Sequence, residues 1–358
     1  MPRPPPPVRA PGTPAAEARR RTGIMASMHA LLSGFAPIWT LTAIGYVVGR
    51  SRLLGAQAEA VLGRFVFHVA MPAALFTMVS GARLDAFANV SMVAFGAGTA
   101  LVSTLGFVLA RRFFGRRTAD QAISSMASGY VNSANLGIPV AVQVLGDASF
   151  VAEIILFQVL LVSPVILTLL DTGTRAGSGK GVTLRRMLTM PVRNPIIMAS
   201  MLGVAFSALG LHLPAALAHS CDLLGAAAVP TALITLGLSL NGRPAVAEPS
   251  SEAADEASTG AAERTPSGER AEVGVTVVLK TLVQPLIAFL FGGPLLHLRD
   301  HQLLAVVLCS ALPTAQNAFI YARQYGLDAG LARNSVVAST FVSMGTLTFA
   351  TWALGPSH

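Results

Sequence analysis

The chain reads as an all-α membrane protein: ten transmembrane helices in two inverted five-helix repeats, with the fourth and ninth helices broken. Three observations predict this. The first is a shortage of charge: of 358 residues, 53% are hydrophobic and 12% charged, with a mean hydropathy of +0.62. A water-soluble domain carries about 25% charged residues to cover its surface, so lipid must cover this one. The second is a series of apolar segments of membrane-spanning length. The third is a set of short motifs that recur at a constant offset.

A hydrocarbon core of about 30 Å takes about 20 apolar residues per helix. Residues 1–27 come first, rich in Pro, Ala and Arg, and they cannot form a core; they are a disordered tail or an over-extended start, with Met25 or Met28 as alternative initiators. The first span is 29–49, too long for a signal-peptide core. The second, 60–80, carries His68 ahead of Met71-Pro72, and the third, 88–110, carries Gly96, Gly98 and Gly106, a sign of close helix packing. The fourth is 121–145 and the fifth 151–170, which closes a first repeat over 28–170. A basic connector, 171–193, leads to the second repeat, 194–354, with spans at 194–212, 215–240, 273–297, 302–324 and 334–354. Inside it, 241–272 is acidic, Ser/Ala/Pro-rich and almost free of aliphatic bulk, and is expected to be a disordered loop.

The repeat has a register. Pro37-Ile38 and Gly45 recur 158 positions later as Pro195-Ile196 and Gly203, and Pro72-x-Ala74-Leu75-x-Thr77 recurs at the same offset as Pro230-x-Ala232-Leu233-x-Thr235. Beyond the acidic loop the offset widens to 182, pairing Asn135 with Asn317. Five spans per half is an odd number, so the second half inserts upside down, an arrangement typical of secondary transporters. Odd-numbered connections carry 17 Lys and Arg against 2 in the even ones, which puts the odd ones in the cytoplasm and both termini outside.

The fourth and ninth spans are unusually polar. The fourth holds Asn132, Ser133, Asn135, Gly137 and Pro139 near its middle; the ninth holds Pro313, Thr314, Gln316 and Asn317. Proline removes a donor and clashes with the preceding turn, so a break is expected at each proline. Backbone freed by a break in lipid needs protein or a watery cavity to receive it. Matched breaks in two halves therefore point to a midplane binding site, unless the polar groups only glue helices together. Half-helices that begin there present a positive dipole end, and Asn side chains add neutral donors, together a cradle for a carboxylate. Lys280 in the eighth span either assists the anion or coupling, or snorkels to the interface; His68 either relays protons or is a satisfied interhelical histidine. Gln143, Gln158, Gln284 and Gln316 are further candidate pathway liners.

Other chemistry finds no support. Cys221 and Cys309 form no CxxC and read as small buried hydrophobes. His297, Asp300 and His301 have metal-like spacing but read as interfacial residues. No P-loop, HExxH or GxSxG motif occurs, so no catalytic residue, cofactor or metal is expected, and transport would run on gradients rather than ATP.

In Gly45-Tyr46, Phe65 through Pro72, Asn132 through Pro139 (NSANLGIP), Arg193-Asn194-Pro195, Leu312-Pro313-x-Ala315-x-Asn317 and Tyr325-Gly326, the chain resembles the auxin efflux carrier family, in its bacterial branch of malonate- and malate-permease-like proteins. The resemblance runs from about Met28 to Leu354. It implies that the fourth and ninth helices cross at their breaks and that substrates are small carboxylates. It maps the family's binding asparagine to Asn132 and the ninth-helix crossover to Pro313. Plant carriers have a proline where this chain has Val131, and Asn135 is an addition. The expected function is a gradient-driven permease or efflux carrier of a mono- or dicarboxylate, by alternating access. The alternatives are a channel-like pore or a non-transporting receptor on the same fold. Expected partners are the bilayer of a bacterial-type inner membrane, the anion and a coupling proton or sodium ion, with no nucleic acid; a homodimer stays open.

Overall fold

The computed structural model describes residues 35–81, 89–176, 194–241 and 266–355. The tail 1–27, residues 177–193 of the connector and 242–265 of the acidic loop lie outside the described residues. Those described are helical, with no strand among them. In order they form α1 (35–51), α2 (Ala58–Ser80), α3 (Val90–Phe114), α4 (Thr118–Gly129), α5 (Ser133–Leu145), α6 (Ser149–Thr174), α7 (Pro195–Leu209), α8 (Ala215–Ser239), α9 (Gly268–Leu295), α10 (Asp300–Ser310), α11 (Asn317–Gln324) and α12 (Gly330–Leu354).

Six of these, α2, α3, α6, α8, α9 and α12, are long and apolar enough to cross a membrane. Their outer faces carry large exposed side chains such as Leu101, Val108, Leu161, Val165, Phe341 and Phe349. Apolar surface on this scale is untenable in water and natural in lipid. The molecule is a multi-pass membrane protein.

Helix ends follow local chemistry. The Asn89 side chain accepts the Met92 amide at 2.7 Å and starts α3, and Gly115, at φ 58, ends it with the Arg116 amide donating to the Ala110 carbonyl. Asn194 caps α7 in the same way, with Pro195 as the first helical residue. Where helices touch, glycines let backbones meet. Gly45 of α1 lies against the Ile234 carbonyl of α8, and Gly237 of α8 against the Thr42 carbonyl of α1. Gly203 of α7 faces Val79 and the Phe76 carbonyl of α2. In α3, Gly106 faces Ser128 of α4, where an added Cβ would sit 2.5 Å from the hydroxyl oxygen.

Prolines inside the helices are absorbed rather than breaking them. Pro72, Pro139, Pro164 and Pro285 each follow a wide five-residue turn, over Val66–Ala70, Ser133–Gly137, Gln158–Val162 and Leu279–Val283. In each the residue before the proline donates five positions back: Met71 to Val66, Ile138 to Ser133, Ser163 to Gln158 and Gln284 to Leu279. Widening the turn relieves the clash between the ring and the fourth carbonyl before it. The expected break at Pro139 is corrected accordingly: the chain leaves the helix earlier, over Tyr130–Asn132, and Pro139 sits inside α5. The acidic loop is also shorter than expected. Residues 266–272 are helical, and Glu272 is buried because the Arg116 guanidinium meets its carboxylate at 2.6 Å.

Two apolar clusters fill the interior. One joins Leu136 and Val140 of α5 to Val151 and Ile154 of α6 and Val306–Leu312 around the end of α10. The other joins Ile123 and Met126 of α4 to Leu167 and Leu170 of α6, Val66 and Phe67 of α2 and Ala318–Ala322 of α11. Between them lies the polar seam where α4 gives way to α5 and α10 to α11.

Candidate binding cavity at the crossing

At the seam the two interrupted helices are tied by main chain. The Asn132 amide donates to the Pro313 carbonyl at 2.8 Å, the Ala315 amide donates to the Tyr130 carbonyl at 3.2 Å, and Val131 and Thr314 form an isolated antiparallel bridge. Each break thus receives the other's freed backbone groups, which is what a break inside lipid requires. The bridge is buttressed on both sides. The Thr314 hydroxyl donates to the Ala127 carbonyl at 2.6 Å, and the Thr314 amide donates to Ser339 Oγ of α12 at 3.0 Å. Gln158 of α6 holds the other break: its Nε2 donates to the Val131 carbonyl at 3.1 Å and its Oε1 accepts the Ser133 hydroxyl at 2.6 Å.

A cavity of about 200 Å³ opens beside this knot. At roughly 30 Å³ per water it has room for about seven waters, or one small metabolite. One wall comes from the two breaks: Tyr130–Asn135 on one side, Ala315–Asn317 and Tyr321 on the other. Gln158 and Ser163 of α6 add polar groups, and the Ser163 hydroxyl lies 3.0 Å from the Tyr130 hydroxyl. The facing wall is apolar, built by Met71, Leu75 and Met78 of α2 with Ala228, Val229 and Ala232 of α8. Among the described residues no Lys, Arg, His, Asp or Glu lines it.

Its donors are neutral amides and helix starts. α5 and α11 both begin at the cavity, so their N-terminal dipole ends face it. The Ala134 and Asn135 amides have no intrahelical acceptor, as in the first turn of any helix. Gln316 is 4% exposed, and its Oε1 has no hydrogen-bond partner. A half-turn of that amide exchanges its oxygen for an NH₂, so it can present either.

Of the residues singled out from sequence, Asn132, Ser133, Asn135, Gln316 and Asn317 line the cavity together. Pro313 and Thr314 build the bridge behind it, while Gly137 packs where a Cβ would press Val151 and Leu312 at 3.0 and 3.1 Å. Pro139 follows the wide turn of α5. Lys280 is fully buried but outside the lining, and His68 is exposed on α2, with Nε2 3.4 Å from Gln324 Nε2 and Nδ1 3.1 Å from the Arg64 carbonyl. Tyr130, Ser163 and Tyr321 carried no sequence signal beyond lying in apolar spans, and Met71, Leu75 and Ala232 of the α2–α8 wall stood out only within repeated or family-like motifs. On the α11 side, Phe67 meets Tyr321 edge-on at 5.7 Å, and Glu59 pairs with Arg323 at 2.8 Å. Among the described residues no group of three metal ligands occurs.

Comparison with known proteins finds similarity to membrane transporters. A family model described as "Membrane transport protein" matches residues 31–176 and 182–351. A Rhizobium meliloti (strain 1021) protein described as "Putative malonate transporter" is 25% identical, over 87% of this chain and 92% of its own length. An "Uncharacterized transporter" of Methanothermobacter thermautotrophicus is 27% identical, over 90% of this chain and 97% of its own. The "Uncharacterized transporter YfdV" of Escherichia coli K12 is 25% identical, over 81% and 87%.

Proposed function

Since the chain belongs to the membrane transport protein family, we propose that it is a secondary active carrier of a small organic anion, a mono- or dicarboxylate, working by alternating access. One observation carries the proposal: both broken helices deliver their N-terminal ends and amide side chains to one cavity. A carboxylate there meets oriented donors and two positive dipole ends without the cost of a buried, unpaired cation. The relative described as a malonate transporter supports this substrate class.

On this reading α4–α5 and α10–α11 are the fourth and ninth of ten spans, in two inverted repeats. The close contacts support the symmetry. Gly45 meets α8 at Ile234, and its repeat mate Gly203 meets α2 at Phe76, with Phe76 and Ile234 again 158 apart. The spans then sit in a bacterial-type inner membrane with both termini outside, from the charge of the connections.

Purified protein in proteoliposomes should show saturable uptake or efflux of a small carboxylate. Asn135→Ala and Asn317→Ala, each removing a donor to a charged ligand, should each weaken apparent affinity about tenfold or more. Unchanged transport in both variants would remove the cavity from the pathway.

A further inference from the structure

The cavity leaves one buried charge unexplained. Lys280 of α9 is 0% exposed, lies in a span, and has no carboxylate partner among the described residues. Its ammonium donates to the Ser310 carbonyl at 2.9 Å and to Gln284 Oε1 at 2.6 Å. Ser310 is the last residue of α10. Gln284 Nε2 in turn donates to the Gly129 carbonyl at 3.1 Å, and Gly129 is the last residue of α4. Lys280 thus reaches the C-terminal ends of both half-helices, one directly and one through a single amide.

Those ends are the negative poles of the two broken helices. In carriers with interrupted helices such ends, with unwound carbonyls, are where a coupling sodium ion is held. The surroundings here suit a cation too. Ser310 Oγ and Ser103 Oγ are buried without a hydrogen-bond partner, Ser103 lies against Gly129, and the Thr99 hydroxyl lies 3.2 Å from Gln284 Nε2, so hydroxyl oxygens sit beside the same two helix ends. Among the described residues the cation held at these ends is the Lys280 ammonium.

We infer that the Lys280 ammonium is a resident cation occupying the seat a coupling sodium ion would otherwise take, so that this carrier binds no sodium at its crossing. The inference rests on the carrier reading for its meaning, but not for its test. An ammonium tethered to α9 neutralises the two poles permanently, which a diffusible ion does only while bound. Removing its side chain vacates a site already lined by oxygens, and a small cation then fills it.

The test follows heat unfolding and radioactive sodium binding of the purified full chain in sodium chloride, choline chloride and methylammonium chloride. The wild type should bind no sodium saturably and should unfold at the same temperature in sodium and in choline. Lys280→Ala should unfold lower in choline, gain saturable sodium binding, and recover several degrees in sodium or methylammonium. Lys280→Arg, which keeps the charge, should remain indifferent to sodium. In these assays, saturable sodium binding by the wild type that Lys280→Ala abolishes, or a folded Lys280→Ala that ignores both cations, overturns the inference. Should Lys280→Ala not fold, the wild type in sodium against choline decides alone. Absence of carboxylate transport would count against the carrier reading and leave the sodium result standing; sodium-dependent uptake by the wild type would overturn the inference and keep the carrier.

Discussion

At the scale of single residues, the site depends on side chains that hold backbone as much as on those that would touch a ligand. Gln158 is the clearest case. It is 1% exposed and uses both ends of its amide on the first break. Gln158→Leu keeps the volume but strands the Ser133 hydroxyl and the Val131 carbonyl, at about 1–3 kcal/mol for each buried group left unpaired. The expected outcome is a lower unfolding temperature together with lost transport, measured by thermal denaturation in detergent and uptake in vesicles. A variant that unfolds as the wild type does would show that Gln158 is not what shapes the break. Residue identity alone made much of this wall legible: Asn132, Asn135, Gln316 and Asn317 stand out because an amide in mid-span is costly unless employed. Tyr130 and Tyr321 did not, since an aromatic in an apolar span is ordinary until packing shows which way its hydroxyl points.

At the scale of elements, chain pattern located the helices well and their irregularities poorly. Apolar length placed α2 and α3 within four residues of their observed ends. The pattern could not say where the fourth span would open, because a proline's missing donor can be absorbed by one wide turn, as Pro139 shows. Nor did composition reveal that Glu272, at the edge of an acidic loop, would be drawn into the protein. Its ion pair with Arg116 links the α3–α4 turn to α9, both side chains are under 5% exposed, and the Ser124 hydroxyl adds a contact at 3.1 Å. Arg116→Met takes the ion pair from buried Glu272, and Glu272→Leu leaves Arg116 only the longer approach to Asp328 at 3.9 Å, so each alone should cost about 3–5 kcal/mol. The double variant should recover most of that loss. Denaturation of all four proteins measures it; a double variant as unstable as the sum of the singles would show the two groups act independently.

At the scale of the whole molecule, the contacts between α2 and α11 beside the cavity are of modest strength. Glu59 and Arg323 are partly exposed, at 15% and 26%, so their ion pair contributes about 1 kcal/mol at most. Beside it lie the Phe67–Tyr321 edge contact and the long His68–Gln324 approach. On the proposed alternating-access reading these surfaces part in every cycle, and weakness is then the useful property. Glu59→Gln should shift the balance between forms open to either side by up to about fivefold, while moving the unfolding temperature little. Labelling Ala134→Cys from each face, with Cys221 and Cys309 replaced by Ser, reads that balance. An unchanged labelling ratio would place the closing contacts elsewhere.

The knot between Tyr130–Asn132 and Pro313–Ala315 is written in amides and carbonyls, which every residue supplies except for proline's missing N–H. Such a joint is indifferent to most of the side chains hung upon it. In the proposed repeat register, 182 positions apart here, Val131 corresponds to Pro313 and Asn132 to Thr314, unlike side chains on a joint that still closes. On the proposed carrier reading, the amino acids around the knot can therefore change, and the choice of anion with them, while the joint beneath stays the same.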